Sequence, residues 1–137
     1  MKTKIYFDIN GVIEFRGHIA YKFKEFLNFL VENNYDMYWL TTHCTEGKVG
    51  SALSYLSSIT KDQELLNMFT HIKPTSWEFI KPEVFKVQED SIWYEDKELS
   101  DVETEYLNER GILRYYRKVD LNTNSDFFVK ELEQFKK

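Results

Sequence analysis

Seven residues carry the chemistry open to this chain: Asp8 and Asn10 near the start, Thr41, Lys81, and the acids Glu95, Asp96 and Asp101. Asp8 closes the β-prone apolar run Lys4-Ile5-Tyr6-Phe7 and is followed by Asn10-Gly11, the pattern of a buried strand that delivers one acid to a sheet edge. A carboxylate in that place can attack phosphorus and form an aspartyl-phosphate that water then hydrolyses. Attack by an anion on an anion needs its charge offset. Mg²⁺ suits that task because it takes hard oxygen ligands, usually one or two carboxylates plus the substrate phosphate. Asp8 and Asp96 can be those two carboxylates. The hydroxyl of Thr41 can donate to phosphoryl oxygens, with Thr42 as its neighbouring rival, and a lysine can balance the remaining charge. Lys81 is favoured for that lysine, because Pro82 sets it at a helix start where an anionic ligand offsets the unfavourable placement of a cation. Lys73, which also precedes a proline, is the alternative.

The elements that must position these residues follow from spacing. Ile19, Phe23, Phe26, Leu27 and Leu30 recur at helical intervals and predict an amphipathic helix over about residues 19 to 33. Met37-Tyr38-Trp39-Leu40 predicts a second strand, and a helix bearing Val49, Leu53 and Leu56 is expected from near Glu46. A helical patch at Leu65 to Phe69 leads to a weak third strand at His71-Ile72, and Pro82 opens a short helix with Val84 and Phe85. Ser91 to Tyr94 is the fourth strand and runs into Glu95-Asp96; a helix follows from near Asp101 to a C-cap at Gly111. Tyr115 to Val119 is the fifth strand, and a last helix carries Phe128, Leu132 and Phe135. Strands alternating with helices predict an α/β fold: a parallel five-stranded sheet, helices on both faces, right-handed crossovers, and ligands at the carboxyl ends of the strands.

Composition bounds the function. At 137 residues the chain is expected to form one domain over 1–137. A formal net charge of -5 disfavours an extended nucleic-acid interface, which needs clustered Lys and Arg. Cys44 is the sole cysteine, which excludes an internal disulfide framework and makes a reducing cytoplasm the simplest compartment. The run after Lys4 is broken by Asp8 and Asn10, so no signal peptide is expected, and no stretch has the length of a membrane span. Aromatic residues reach 17%, and Phe7, Trp39, Trp93 and Tyr116 lie in strand-like runs, so core packing is expected in preference to base stacking.

Taken together, the motifs resemble the haloacid dehalogenase superfamily of aspartate-dependent phosphohydrolases. Phe7-Asp8-Ile9-Asn10-Gly11-Val12-Ile13 resembles its first motif, an apolar strand followed by Asp-x-Asp-Gly-Val, and Tyr38-Trp39-Leu40-Thr41 its second. Lys81-Pro82-Glu83-Val84-Phe85 is similar to the third, and Glu95-Asp96 with Asp101 to the fourth. The motifs occur in the family's order and cover essentially the whole chain. The resemblance implies a three-layer Rossmannoid domain with little or no cap, whose open site admits a small or macromolecular phosphorylated substrate. It implies Asp8 as nucleophile and metal ligand, the Asn10 carbonyl as a second ligand, Thr41 and Lys81 as phosphate binders, Asp96 as a direct magnesium ligand, and Glu95 and Asp101 nearby. One departure stands out: the family's phosphatases usually carry Asp where this chain has Asn10. An amide neither protonates a leaving group nor activates water, and that help is typically worth ~10²–10⁴ in rate.

Other readings stand beside this one. Asp8 can simply close a turn with Gly11, Thr41 can cap the following helix, and Asp101 can be merely a helix N-cap, with Ser100 and Glu103 also forming a capping-box pattern. Asn10 also fits a non-catalytic domain that binds Mg²⁺ and a phosphorylated partner. His43 to Ser51 looks like the phosphate loop of cysteine-dependent phosphatases, with Cys44 as nucleophile, but Gly50 stands where that loop needs an arginine to clamp phosphate bidentately. Trp77 and the Thr42-His43 stretch are expected to line the site's entrance.

Overall fold

Along the first strand, Ile5 and Phe7 face one apolar cluster and Tyr6 faces another, the two-sided burial expected of a strand covered on both faces. The computed structural model describes residues 3–42 and 50–137. The segment from His43 to Val49, including Cys44 and the expected helix start near Glu46, lies outside the described residues.

Five parallel strands form the main sheet: β1 (Lys4–Phe7), β4 (Met37–Trp39), β5 (Ile72–Lys73), β6 (Ser91–Glu95) and β7 (Tyr116–Lys118). Their order is β5-β4-β1-β6-β7, so the chain builds outward from β1 on one side and then returns to build on the other. The direction of winding reverses between β1 and β6, the place where a parallel sheet leaves a crevice at its carboxyl edge. One face is covered by α1 (Phe23–Glu32), α2 (Gly50–Ile59), α3 (Gln63–Phe69) and α5 (Phe127–Lys136), whose Phe23, Phe26, Leu56, Phe69 and Phe128 share a cluster with Ile5, Phe7 and Trp39. Leu107 of α4 (Asp101–Glu109) lies in the other cluster with Tyr6, Trp93 and Phe85, the residue just after the 3₁₀ turn Lys81–Val84.

The aromatics do pack the core: Phe7 and Trp39 are 0% exposed and Trp93 1%, while Tyr116 is half-buried. Phe7 stacks on Tyr94 at 5.4 Å, and Phe26 and Phe128 meet Tyr94 edge-on at 5.9 and 6.1 Å. Beneath them, the buried Glu131 carboxylate accepts hydrogen bonds from the Tyr94 hydroxyl at 2.5 Å and the Arg117 guanidinium at 2.6 Å, so its charge is matched. Among the described residues no helix is long and apolar enough to cross a membrane.

The helix expected from residue 19 begins instead at Phe23, and Ile19 belongs to a hairpin of β2 (Glu14–Phe15) and β3 (His18–Ile19). Arg16 and Gly17 both have positive φ, at 53° and 82°, which is the two-residue turn that matches strand twist. The helical spacing of Ile19 with Phe23 is therefore coincidental: Glu14 and Ile19 are cross-strand partners. The remaining strands and helices lie within a few residues of their expected positions, apart from the start of α2, which falls outside the described residues.

Candidate active site at the β1–β6 crevice

Parallel register sets the centre of the site. Phe7 pairs with Tyr94, and the Asp8 N–H donates to the Tyr94 carbonyl at 3.1 Å, so Asp8 and Glu95 emerge side by side at the carboxyl edge. Strand alternation directs both toward the face that carries the 3₁₀ turn beginning at Lys81. The Lys81 ammonium donates to Glu95 Oε1 at 2.8 Å and lies 3.5 Å from Asp8 Oδ2. Lys73, by contrast, is exposed and pairs with Asp36 at 3.4 Å, so Lys81 is the lysine that reaches the acids. Asp96 completes the group: Asp8, Glu95 and Asp96 each offer an oxygen within 4.8 Å of the others.

Asp8 is 7% exposed, and burial is the main reason its pKa is pushed up to about 7. A hydrogen bond with Glu95 and that acid's charge act in the same direction; the Lys81 charge and the Ile9 N–H, which donates to Asp8 Oδ1 at 2.8 Å, oppose them. Burial is the largest single influence on Lys81 and lowers its pKa, but the charges of Asp8 and Glu95 and the hydrogen bonds to them together leave it raised. Ionised together, the three acids outnumber the one lysine, an excess of negative charge that a cation would balance.

Asp96 bears directly on whether a cation fits. Among the described residues its Oδ1 is buried without a hydrogen-bond partner, while its backbone N–H donates to Glu95 Oε2 at 3.0 Å. Gly11, at φ +78°, makes room for this carboxylate: a Cβ there would stand 2.1 Å from Asp96 Oδ2. A buried orphan oxygen beside two further carboxylates matches the donor set of a hard divalent cation. Gly11→Ala is expected to displace Asp96 and, were the three acids to hold a divalent cation such as Mg²⁺, to weaken its binding about 10–100-fold, the scale of disturbed ligand support. A left-handed non-glycine residue adds roughly 1–2 kcal/mol of destabilisation. Titration calorimetry and thermal melting check both effects; unchanged Mg²⁺ affinity would remove Asp96 from the ligand set.

Thr41 lies at the same edge. The Leu40 N–H donates to the Phe7 carbonyl at 2.7 Å, which brings the end of β4 against the end of β1, and Thr41 is fully buried whereas Thr42 is exposed. Asn10 follows β1, and its amide donates to Glu14 Oε1 at 3.0 Å and to the Tyr55 hydroxyl at 2.9 Å. Asp101 departs from expectation. It is exposed in the first turn of α4 and is not among the converging acids. The reason is the capping box: Ser100 Oγ accepts from the Glu103 N–H at 3.1 Å and Glu103 Oε1 from the Ser100 N–H at 3.0 Å, which starts the helix and carries Asp101 along its outer side.

Spacing alone does not reveal Glu14 and Tyr55 as the partners of Asn10, since Tyr55 is distant in sequence and Glu14 depends on the hairpin turn. Glu83 was more accessible, standing three residues after Ile80 at a helix start. Its carboxylate accepts from the N–H groups of Glu78, Phe79 and Ile80 at 2.9, 3.0 and 2.9 Å. Trp77 lines a cleft that opens beside Lys81 and Glu95, as the expected place at the entrance requires, and Thr42 lines it too. Comparison of the chain with family models, with curated proteins and with solved structures gives no match.

Proposed function

We propose that this chain is a magnesium-dependent phosphohydrolase of the haloacid dehalogenase type, acting through a phosphorylated Asp8. The observation that carries the reading is the convergence of Asp8, Glu95 and Asp96 within 4.8 Å, with one Asp96 oxygen buried and without a hydrogen-bond partner among the described residues. The four-motif resemblance supports it independently, because the residues it nominates from strands one and four are the ones that meet.

Asp8 and Asp96 would hold the ion, with Glu95 supporting them and the Asn10 carbonyl as the further ligand the resemblance implies. When bound, Mg²⁺ supplies the positive charge that lets an anionic ester approach an acidic site. The Asp8 carboxylate forms a bond to phosphorus while the bond from phosphorus to the ester oxygen breaks, and the electron pair leaves on that oxygen, which takes a proton from water. Water then attacks phosphorus, the Asp8–phosphorus bond breaks, and orthophosphate departs with Asp8 restored. Lys81 and the Thr41 hydroxyl stabilise charge on the transferring phosphoryl oxygens. Asn10 contributes no proton. The sole cysteine accords with a reducing cytoplasm as the place of action.

A second reading keeps Mg²⁺ and phosphate binding without turnover, and the engagement of the Asn10 amide by Glu14 and Tyr55 favours it. Orthophosphate release from small phosphate esters distinguishes the two. Release that stops with EDTA, returns with Mg²⁺ and is lost in Asp96→Ala is expected. No release, with Mg²⁺ binding intact by calorimetry, establishes the binding domain, and indifference to EDTA overturns the proposal.

A further inference from the structure

The cleft beside the acids has a volume of about 340 Å³, at the small end of ligand clefts, and is lined by Trp77, Phe79, Lys81, Trp93, Glu95 and Leu99 among others. On its rim, Phe79 is 83% exposed. Phe79 is not on a loose loop. Glu83 clamps three consecutive N–H groups, those of Glu78, Phe79 and Ile80, at 2.9 to 3.0 Å, and the acceptance of these bonds holds the Glu83 carboxyl below its ordinary pKa. The same carboxylate fixes the backbone just before Lys81, so the exposed ring and the phosphate-side lysine are set by one device. Trp77 and Phe79 together give the cleft two aromatic side chains beside Lys81 and Glu95, surfaces on which a planar ring can pack.

One further feature defines that ligand. Asn10 supplies no proton to a departing oxygen, and a phenolic oxygen, with a pKa of about 10, leaves without one far more readily than an alkoxide, whose pKa is near the ~15.7 of water. We propose that the cleft is a leaving-group site for an aryl phosphate monoester, with the ring packed between Trp77 and Phe79. This rests on the phosphohydrolase reading for the bond broken, but the ring site itself can be tested by binding alone.

The test uses the full chain carrying Asp8→Asn, which prevents turnover, with Mg²⁺ present and phenyl phosphate, glycerol 3-phosphate and adenosine 5′-monophosphate as probes followed by calorimetry. Phenyl phosphate is expected to bind about tenfold or more tightly than glycerol 3-phosphate, the scale of one or two aromatic contacts. That preference is expected to shrink in Trp77→Ala and in Phe79→Ala, the latter at a position exposed enough to leave folding intact. Glu83→Gln is expected to weaken it through loss of the backbone clamp. Equal affinity for the two esters, tighter binding of the nucleotide, or a preference that survives both aromatic substitutions overturns the inference. Binding preference without turnover in the wild type overturns the phosphohydrolase reading and leaves the ring site standing. A phosphotyrosyl peptide bound more tightly than phenyl phosphate assigns the ring to a protein substrate; equal or weaker binding assigns it to a small molecule.

Discussion

Asp8→Asn is expected to abolish turnover and at the same time stabilise the cation-free protein. The amide keeps the size of the side chain and the acceptor for the Ile9 N–H, but it cannot attack phosphorus, so activity is expected to fall on the order of 10⁴–10⁶-fold, as when a nucleophile is removed. The gain in stability follows from burial beside a second acid. The folded-state pKa of Asp8 is about 7 against an ordinary 3.8. Below 3.8 the carboxyl is neutral in both states. Between 3.8 and 7 the unfolded chain releases its proton while the folded chain keeps it, so stability falls as pH rises, and the loss is complete above 7. The penalty is a few kcal/mol, and the variant does not carry it. Urea unfolding in EDTA at pH 5 and pH 8 measures this: the wild type is expected to lose stability between the two, Asp8→Asn to lose much less, and saturating Mg²⁺ to return most of the loss to the wild type. Equal pH dependence in both proteins would mean that Asp8 is not the buried acid in excess.

Asn10→Asp is expected to raise kcat/KM for alkyl phosphates by ~10²–10⁴, the usual contribution of a positioned acid, with far less gain for aryl phosphates. The surroundings of Asn10 already suit a carboxyl group. Tyr55 can donate its hydroxyl to it, and the Glu14 carboxylate, now 3.0 Å from the amide nitrogen, would be a like charge that favours the protonated form. A protonated carboxyl is the form that donates to a leaving oxygen. Glu14→Gln added to Asn10→Asp is therefore expected to lower the apparent pKa of the alkaline limb, where the general acid loses its proton, and so narrow the pH range of alkyl ester hydrolysis. Glycerol 3-phosphate and phenyl phosphate compared side by side provide the readout. An equal gain for both esters would show that Asn10 limits some step other than leaving-group departure. No gain at all, with Mg²⁺ bound, favours the binding-domain reading.

The repeating patterns were legible because they are local. Alternation of Ile5, Tyr6 and Phe7 marks a strand buried on two faces, and the spacing of Phe23, Phe26, Leu27 and Leu30 marks a helix face, since each depends only on the geometry of its own segment. The placement of Asp8 and Glu95 at strand ends was legible for the same reason. Ile19 shows the limit: helical spacing competes with turn chemistry, and the positive φ values of Arg16 and Gly17 decide for a hairpin. Asp96 and Asp101 are both acids near the end of the fourth predicted strand, yet the carboxylate beside Gly11 joins the cluster while the other rides the outside of α4.

Sequence by itself therefore determined which elements form and which acids stand at their ends, because hydrophobic period and turn residues act within a few positions. The tertiary structure alone decided that β6 lies beside β1 with Phe7 opposite Tyr94, that Lys81 rather than Lys73 meets the acids, and that Glu14 and Tyr55 hold Asn10. Those pairings join residues far apart in the chain, and their choice rests on sheet order and register, which the whole core selects at once.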